Sequence, residues 1–226
     1  MTRIVKAADE RRSELITCAH KLFYSKGYEG TSVSDIVNED GVAKGTFYYY
    51  FESKQAILEA LVEDLTAQSL ELYRAIVTNG ALNAIQKWTR AAQVIGDWKV
   101  ERRSELLALL RVMQADENVL LQHKLRARAA QVTAPELAKI IVQGITEGVF
   151  EAEYPEETAE IVYAISTAFS DTITDILLNP DDYDEPEALL QRKTAAVQTA
   201  IERVLGAARG SLPLIDGQTL AAWFEE

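Results

Sequence analysis

A short stretch of the chain carries the residue types that bind a phosphate-lined surface. Lys44 supplies positive charge. Hydroxyl groups that can donate hydrogen bonds come from Thr46, Tyr48 and Tyr49. Gly45 has no side chain, so the backbone at that point can approach another molecule closely. This combination favours a nucleic-acid groove as the partner of the stretch.

Residues that build catalytic or metal sites are scarce. A single cysteine, Cys18, cannot form an internal disulfide or a thiolate cluster, and only His20 and His123 could supply imidazole. The 226 residues are 48% hydrophobic and 26% charged, which is typical of a globular protein. We therefore expect a folded protein that is not an enzyme and needs no metal or cofactor.

The net charge argues against a nucleic-acid partner until it is divided along the chain. A formal charge of −12 and a pI near 4.8 are those of a protein that a polyanion repels. The segment up to Lys54, however, holds eight basic and eight acidic residues, so the whole negative excess lies beyond it. The segment with the phosphate-binding residue types is therefore neutral.

The spacing of apolar residues is helical along nearly the whole chain and predicts an all-α protein. No sustained alternation of period two indicates a strand. Two short helices are expected, one after Ser32 and one over Lys44–Tyr50. The other helices are predicted over about 9–26, 54–77, 82–100, 103–114, 119–150 with a break or kink near Pro135, 157–178, 187–205 and 220–224.

The two short helices have the spacing of a helix-turn-helix. Ser32 offers an N-cap hydroxyl, with Asp35 three residues on, as in a capping box. Gly41 can take the positive φ of a tight turn before the second helix, Lys44–Tyr50. Lys54, in the first turn of the next helix, and the backbone N–H groups at helix starts add further donors for phosphate.

Three segments of this region closely resemble the DNA-binding signature of TetR-family transcriptional repressors: 31–33 (TSV), 35–37 (DIV) and 41–54 (GVAKGTFYYYFESK). The resemblance implies an all-helical homodimer whose three N-terminal helices bind double-stranded operator DNA and whose larger C-terminal domain binds a small-molecule inducer. Two residues depart from the pattern. Ala43 replaces the usual Ser, which removes an N-cap worth about 1 kcal/mol, and Val37 replaces the usual Ala.

On this resemblance the chain divides into a helix-turn-helix DNA-binding domain over 1–53 and a helical ligand-binding and dimerisation domain over 54–226. Two recognition helices of a dimer are expected to read a palindromic operator in successive major grooves. The expected DNA contacts are Thr31, Ser32, Lys44, Gly45, Thr46, Tyr48, Tyr49 and Lys54.

Large apolar side chains of the long helices could line an inducer pocket, which would suit a flat apolar or aromatic molecule. Such residues form ordinary core just as readily, and that alternative stays open. The pocket candidates are Tyr73, Trp88, Trp98, Met113, Phe150 and Tyr163.

Apolar stripes on the last two long helices suit a four-helix bundle across a two-fold axis, which is the dimer that the resemblance implies. Periodicity allows the alternative that the stripes pack within one chain. The expected interface residues are Ile165, Thr172, Ile176, Val197, Ile201 and Val204.

Two glycines, Gly144 and Gly148, fall on the predicted buried stripe of the fifth long helix, where each costs about 1 kcal/mol relative to Ala. Something should offset that cost, and two interpretations stay open: the close approach of a neighbouring helix, or room for a ligand beside Phe150.

The function expected from these observations is a ligand-responsive transcriptional repressor. An all-helical enzyme or carrier that binds an apolar small molecule is the alternative, although it leaves the polar surface of Lys44–Lys54 unexplained. No apolar run approaches the roughly 18 residues that cross a bilayer, so we expect a cytoplasmic protein without a membrane partner.

Overall fold

The computed structural model describes residues 8–215 and 217–223, which form α-helices and two short 3-10 turns without a strand. The all-α prediction is confirmed. The helices are α1 (Ala8–Lys26), α2 (Val33–Asp40), α3 (Lys44–Tyr50), α4 (Lys54–Val77), α5 (Ala84–Glu101), α6 (Arg103–Met113), α7 (Val119–Thr146), α8 (Pro155–Leu178), α9 (Pro186–Val204) and α10 (Gly217–Ala222).

Most helix limits lie within two residues of the predicted ones, and the largest difference is at α7. This helix passes through Pro135 without a break and ends at Thr146, four residues before the predicted end. The structure also shows a capping box at the start of α5, formed by Asn83 and Gln86, which the apolar spacing could not reveal.

The described residues form two compact units. One contains the described part of Met1–Thr66 together with Ala108–Leu125, and the other contains Ala67–Leu107 with the described part of Arg126–Glu226. Helices α4, α6 and α7 therefore supply residues to both units. The predicted boundary between a DNA-binding domain, 1–53, and a ligand-binding and dimerisation domain, 54–226, divides the chain by function. It stays a prediction.

The first unit is built around one apolar core that joins α1 to α4. Leu15 of α1, Ile36 of α2, Phe47 of α3 and both Ile57 and Leu58 of α4 are fully buried in it. Each of these helices is amphipathic, so burying its apolar side removes it from water and fixes its orientation. The short helices α2 and α3 depend on this core, because helices of seven or eight residues are not stable alone in water.

The second unit has two apolar clusters. The larger one surrounds Trp88, Ile141 and Phe150, and the smaller one surrounds Phe169 and Leu190. Helix α8 packs along α9, and residues of both helices contribute to each cluster. The core of this unit is therefore made by the long helices that were predicted to bind a ligand and a second copy.

Helix α8 is the one described helix that is long and apolar enough to cross a membrane, with a mean hydropathy of 1.3 over 18 residues. This corrects the expectation that the chain has no such run. A single helix of this kind is weak evidence for a membrane span, because helices of soluble proteins meet the same criteria.

The two glycines near the end of α7 have different roles. Gly144 is buried within the helix, as predicted, and the ring of Phe150 rests directly on it. Gly148 is exposed beyond the helix end with φ +73°, so its place on the buried stripe was wrongly predicted. The N–H groups of Val149 and Phe150 both donate to the Gly144 carbonyl, at 2.9 and 3.1 Å, and this turn brings the ring back. The close approach at Gly144 thus comes from Phe150, not from a neighbouring helix or a ligand.

Replacing Gly144 should therefore destabilise the second unit. In Gly144→Ala the new methyl carbon would lie 2.1 Å from Cδ2 of the buried Phe150 ring. Overpacking costs about 1–3 kcal/mol, against about 1 kcal/mol gained in helix propensity. We expect a net loss of about 1–2 kcal/mol in the free energy of unfolding, measured by urea denaturation.

Gly148→Ala is the matched control. It meets no atom within 4 Å, so its cost of about 1–2 kcal/mol comes from the left-handed backbone alone. In a Phe150→Leu background the penalty of Gly144→Ala should shrink and that of Gly148→Ala should not. Equal penalties in both backgrounds would contradict the ring contact as the cause.

Candidate nucleic-acid interface

The start of α2 is fixed by the capping box predicted from the sequence. The N–H of Ser32 donates to Asp35 Oδ2 at 2.8 Å, and the N–H of Asp35 donates to Ser32 Oγ at 3.1 Å. Hydrogen bonds from the Ser32 hydroxyl and backbone, followed by the Lys26 ammonium, lower the pKa of Asp35 to about 2. The carboxylate therefore stays ionised, and Ser32 is held at the exposed first turn of α2.

The turn between α2 and α3 depends on Gly41, which has φ +72° and ψ +27°. Its N–H donates to carbonyls at the end of α2, and the N–H of Val42 donates to the Val37 carbonyl at 3.0 Å. Helix α3 then begins after Ala43, which makes no side-chain cap, as expected from the missing hydroxyl. The backbone of the turn, without a side-chain cap, thus leads into α3.

Helix α3 is divided sharply into an inner and an outer face. Phe47 is fully buried, and Phe51, directly after the helix, is nearly so. On the outer face Tyr48 is 50% exposed and Tyr49 is 79% exposed.

Three more predicted contacts lie on the same short helix. Lys44 and Gly45 are exposed and Thr46 is half-buried. The Lys44 ammonium lies 6.0 Å from the Tyr48 ring centroid, and a Cβ at Gly45 would meet no atom of the chain within 4 Å. The structure therefore brings five of the eight predicted contacts onto α3.

Ion pairs join α1 to α2 and take up most of the positive charge nearby. Lys21 pairs with Glu39, Lys26 with Asp35, and Arg11 with Asp40. These pairs connect the two helices. Lys21–Glu39 and Lys26–Asp35 are exposed to water and hold orientation more than they add stability, whereas the Asp40 side chain of the third pair is only 7% exposed.

Among the described lysine and arginine side chains of α1 to α3, two have no carboxylate of the described residues within 4.0 Å. They are Lys44 and Arg12, whose guanidinium lies 5.3 Å from the ring centroid of Phe51. Sequence reasoning missed Arg12, because nothing in its spacing indicates that it reaches the end of α3.

The structure corrects the role expected for Thr31. Its side chain is buried, and its hydroxyl donates to the carbonyls of Gly27, at 2.7 Å, and Leu22, at 3.2 Å. A buried hydroxyl that closes the end of α1 cannot reach a phosphate. Thr31 therefore supports the loop before α2 and leaves the set of candidate contacts.

Lys54, an expected DNA contact, binds groups of its own chain in this structure. Its ammonium donates to the Tyr28 carbonyl at 2.8 Å and lies 4.1 Å from the Tyr28 ring centroid. It is also 4.0 Å from a Glu29 carboxylate oxygen. Ser53 caps the start of α4, since the N–H of Ala56 donates to Ser53 Oγ at 3.0 Å.

The residues proposed for a ligand pocket do not form one group. Trp88 and Phe150 are buried in one cluster of the second unit with Tyr73 packed against it, and the Trp88 indole N–H donates to the Pro213 carbonyl at 3.0 Å. Trp88 and Phe150 therefore lie in the apolar core of this unit, and a role for them in ligand binding stays a prediction.

The remaining pocket candidates are dispersed. Met113 belongs to the core of the first unit. Trp98 is half-buried beneath the Arg102 guanidinium, 4.9 Å from its ring centroid. Tyr163 is half-buried as well, and burial raises the pKa of its hydroxyl. A role for these residues in ligand binding stays a prediction.

The predicted dimer residues divide into two groups. Ile176 and Ile201 are fully buried within the chain, so they cannot form a contact between copies. The apolar stripe that contains them faces the intrachain core, which is the alternative that periodicity left open. The other four lie on the surface or at its edge: Ile165, Thr172 and Val197 are half-buried and Val204 is exposed.

A different stripe of α8 and α9 remains exposed. It contains Ile161, Ala164 and Ala168 on α8 with Ala196 and Val204 on α9. Ile161 is 52% exposed and Val204 is 37% exposed. These small and apolar side chains suit close packing of helices.

Comparison with known proteins agrees with the geometry. A family model described as bacterial regulatory proteins of the tetR family matches residues 15–61, and one described as a tetracyclin repressor-like C-terminal domain matches residues 108–177. Together they span more than half of the chain. The matched segments cover only 34–42% of the length of the first curated relatives, which are named as transcriptional regulators.

One such relative is the HTH-type transcriptional repressor KstR2 of Rhodococcus jostii, 33% identical over 70 residues, which are 31% of this chain and 34% of the relative. A TetR-family regulator of Pectobacterium atrosepticum has a similar fold, with a TM-score of 0.67 and 20% identity over 92% of this chain and 100% of the other. RolR in complex with the ligand resorcinol gives a TM-score of 0.59 and 16% identity over 97% and 95% of the two chains.

The matched N-terminal model covers α2, the Gly41 turn and α3, and the second model covers the last part of α6, all of α7 and nearly all of α8. The chain therefore belongs to the TetR family of bacterial regulatory proteins.

Proposed function

We propose that this chain is a cytoplasmic transcriptional repressor, acting as a homodimer on palindromic operator DNA and released from it by a small-molecule inducer. The observation that carries the proposal is the outer face of α3. Exposed aromatic residues reduce solubility unless a partner covers them. Here they stand beside Lys44, which has no carboxylate of the described residues within 4.0 Å, and beside Gly45, where a Cβ would meet no atom within 4 Å. A helix with this face fits the major groove, where hydroxyl and ammonium groups meet phosphates and base edges.

Support for repression and for an inducer comes from the family. KstR2 is named as a repressor and RolR binds resorcinol. The curated relatives are named as regulators, which favours a regulator over the enzyme or carrier hypothesis. We expect the inducer to be a flat apolar or aromatic molecule that binds in the helical domain. It changes the spacing of the two DNA-binding heads, which are the 1–53 domains of the two copies.

The exposed stripe of α8 and α9 supports a homodimer. Its apolar and small residues can pack against the same stripe of a second copy across a two-fold axis, as isologous interfaces require. Two heads then reach two half-sites, which doubles the contacts that a single seven-residue recognition helix can make.

Substitutions on the outer face of α3 should weaken operator binding without unfolding the chain. Lys44→Met removes one cation per head, so the slope of log affinity against log salt should become shallower by about 1.8 for a dimer. Gly45→Ala should stabilise the free protein by up to about 1 kcal/mol, because its methyl group meets open space and helix propensity rises. The same methyl group should lower affinity at least ~10-fold, the size of one lost base contact.

Binding is measured by fluorescence anisotropy with DNA from upstream of the gene, and stability by urea denaturation. Gly80→Ala is the control, since it also meets no atom within 4 Å but lies outside α3. Unaltered affinity in both Lys44→Met and Gly45→Ala would contradict the proposal.

Charges placed on the exposed stripe should break the dimer. We expect Ile161→Arg and Val204→Arg to give folded monomers in sedimentation velocity and to lose operator binding. Val142→Arg is the matched control, because Val142 is 45% exposed on α7 and outside the stripe. A dimer that survives both substitutions, or a wild-type monomer, would show that another surface or no surface joins two copies.

An inducer should lower operator affinity and raise the unfolding temperature together. A panel of flat aromatic compounds that begins with resorcinol tests this by anisotropy and by thermal unfolding. Compounds that bind without releasing DNA would argue for a carrier, and failure of every compound in the panel would contradict an aromatic inducer.

A further inference from the structure

The chain beyond α9 returns along α5, and we name residues 212–215 and 217–223 the C-terminal strap. A Cβ at Gly96 in α5 would lie only 3.1 Å from Cγ2 of Thr219 in α10, so a glycine permits the close approach of the two helices. Three contacts follow one another in the same order along both segments: the Trp88 indole N–H to the Pro213 carbonyl at 3.0 Å, Gly96 to the Thr219 side chain, and Arg103 Nε to the Trp223 carbonyl at 2.9 Å. The strap thus lies beside most of α5.

The other side of the strap covers the pair formed by α8 and α9. Leu220 of α10 is 5% exposed and belongs to one apolar cluster with Phe169 of α8 and Leu190 of α9. Leu214 packs against the same cluster. The strap therefore connects α5 to α8 and α9, and it shields apolar side chains of that cluster from water.

The root of the strap is fixed by a buried carboxylate. Glu202, in the last turn of α9, is only 3% exposed. It accepts hydrogen bonds from the N–H of Leu212 at 3.2 Å and from Gln198 Nε2 at 2.9 Å. Leu212 itself is fully buried. Because a buried carboxylate without its donors is costly, the root should stay attached to α9.

The tip of the strap, α10 and Trp223, is attached in another way. Helix α10 has six residues, too few to be stable alone in water, so it depends on packing against its neighbours. That packing includes the buried side chains of Leu220 and Trp223, and Arg103 holds the end of the tip by its hydrogen bond. The tip can therefore detach and lose its helix in one local opening, while the root remains in place.

The part of α5 next to the tip is apolar and incompletely enclosed. Val94, Ile95 and Trp98 are only half-buried. Detachment of the tip would uncover the Gly96 side of α5 and the cluster around Phe169. A small apolar molecule would then have a way in between these helices.

We propose that the C-terminal strap is a gate: its tip detaches from α5 while its root stays on α9, and each detachment admits a small apolar molecule to the helices of the second unit. The inference rests on the proposed function in that the molecule admitted would be the inducer. The movement of the strap is a property of the free protein, and it can be tested without DNA.

Gly96→Val should push the tip away from α5, because the first of its three side-chain carbons would already lie 3.1 Å from Thr219 Cγ2. Hydrogen exchange of the full chain should become several-fold faster in peptides that cover 217–223 and stay at the wild-type rate in 205–212. Entry of 1-anilinonaphthalene-8-sulfonate, an aromatic probe whose fluorescence rises in apolar surroundings, should become several-fold faster in stopped-flow measurements.

Arg103→Met is the second variant. It keeps the length of the side chain and removes the hydrogen bond to the Trp223 carbonyl, so the gate predicts faster exchange at 217–223 and faster probe entry. Arg111→Met is the matched control, because Arg111 is an exposed arginine of the same helix, α6, and the strap contacts named above do not include it. Both rates should equal those of the wild type in this control.

A disulfide across the Gly96–Thr219 contact should hold the gate shut. The pair Gly96→Cys and Thr219→Cys is introduced into a Cys18→Ser background, where the short distance between the two positions favours cross-linking. The oxidised protein should admit the probe several-fold more slowly than the same protein with dithiothreitol. Cys18→Ser alone is the control, and dithiothreitol should not change its rate.

Wild-type exchange at 217–223 in both Gly96→Val and Arg103→Met would overturn the proposal. So would faster exchange with an unchanged rate of probe entry, a probe that binds no form of the protein, or a cysteine pair that does not cross-link. The failure of the proposed function looks different. In that case aromatic compounds would release no DNA from the wild type or any variant, while the changes in exchange and probe entry would still support the gate.

Discussion

The arrangement of the N-terminal head, α1 to α4, depends on the burial of one side chain, Phe47. A helix of seven residues has too few internal hydrogen bonds to persist in water, so α3 exists because its inner face is fixed in the core. Phe47 has no exposed surface, and its ring lies 5.7 Å from that of Phe51, which anchors the helix end. The burial of Phe47 and Phe51 therefore holds the outer-face residues, from Lys44 to Tyr49, toward the solvent.

Ion pairs connect helices of the same unit and balance its positive charges with carboxylates. Three cations of α1, Arg11, Lys21 and Lys26, are paired with carboxylates of α2, and the Lys54 ammonium donates to the Tyr28 carbonyl of the 27–31 loop between α1 and α2. The Lys21–Glu39 and Lys26–Asp35 pairs are exposed enough to be weak alone, and the Arg11–Asp40 pair is more buried. Together they connect the three helices and the loop that position α3, and they leave the charge of Lys44 available to a partner.

The sequence allowed the local features of the head to be predicted because their causes are local. Ser32 and Asp35 cap α2 through atoms three residues apart, and Gly41 takes a positive φ that other residues avoid. Features that depend on distant contacts could not be predicted in this way. Thr31 and Lys54 have the chemistry of phosphate ligands, and only the fold shows that both bind carbonyl groups of the chain.

Apolar periodicity in the long helices was similarly ambiguous. It located the stripe that contains Ile176 and Ile201, but a stripe does not reveal whether its own chain or a second copy covers it. Gly148 shows another limit of apolar periodicity. The helical spacing of apolar residues continues to Val149, but α7 ends at Thr146 and the chain then turns so that the Phe150 ring rests on Gly144. The expected DNA-binding helix was therefore more predictable than the expected ligand and dimer surfaces.

The neutral head has a consequence for selectivity in the proposed function. Non-specific affinity for DNA comes mainly from counterions released by cations at phosphates, and paired cations release few. The remainder of the chain carries the whole charge of −12 and is repelled by the duplex. Discrimination between an operator and other DNA must then come from groove contacts of α3, where Tyr48, Tyr49 and Gly45 depend on shape and hydrogen bonding more than on charge. Because one such helix offers few contacts, useful affinity requires two heads at a fixed spacing, and a change in that spacing is enough to release the DNA.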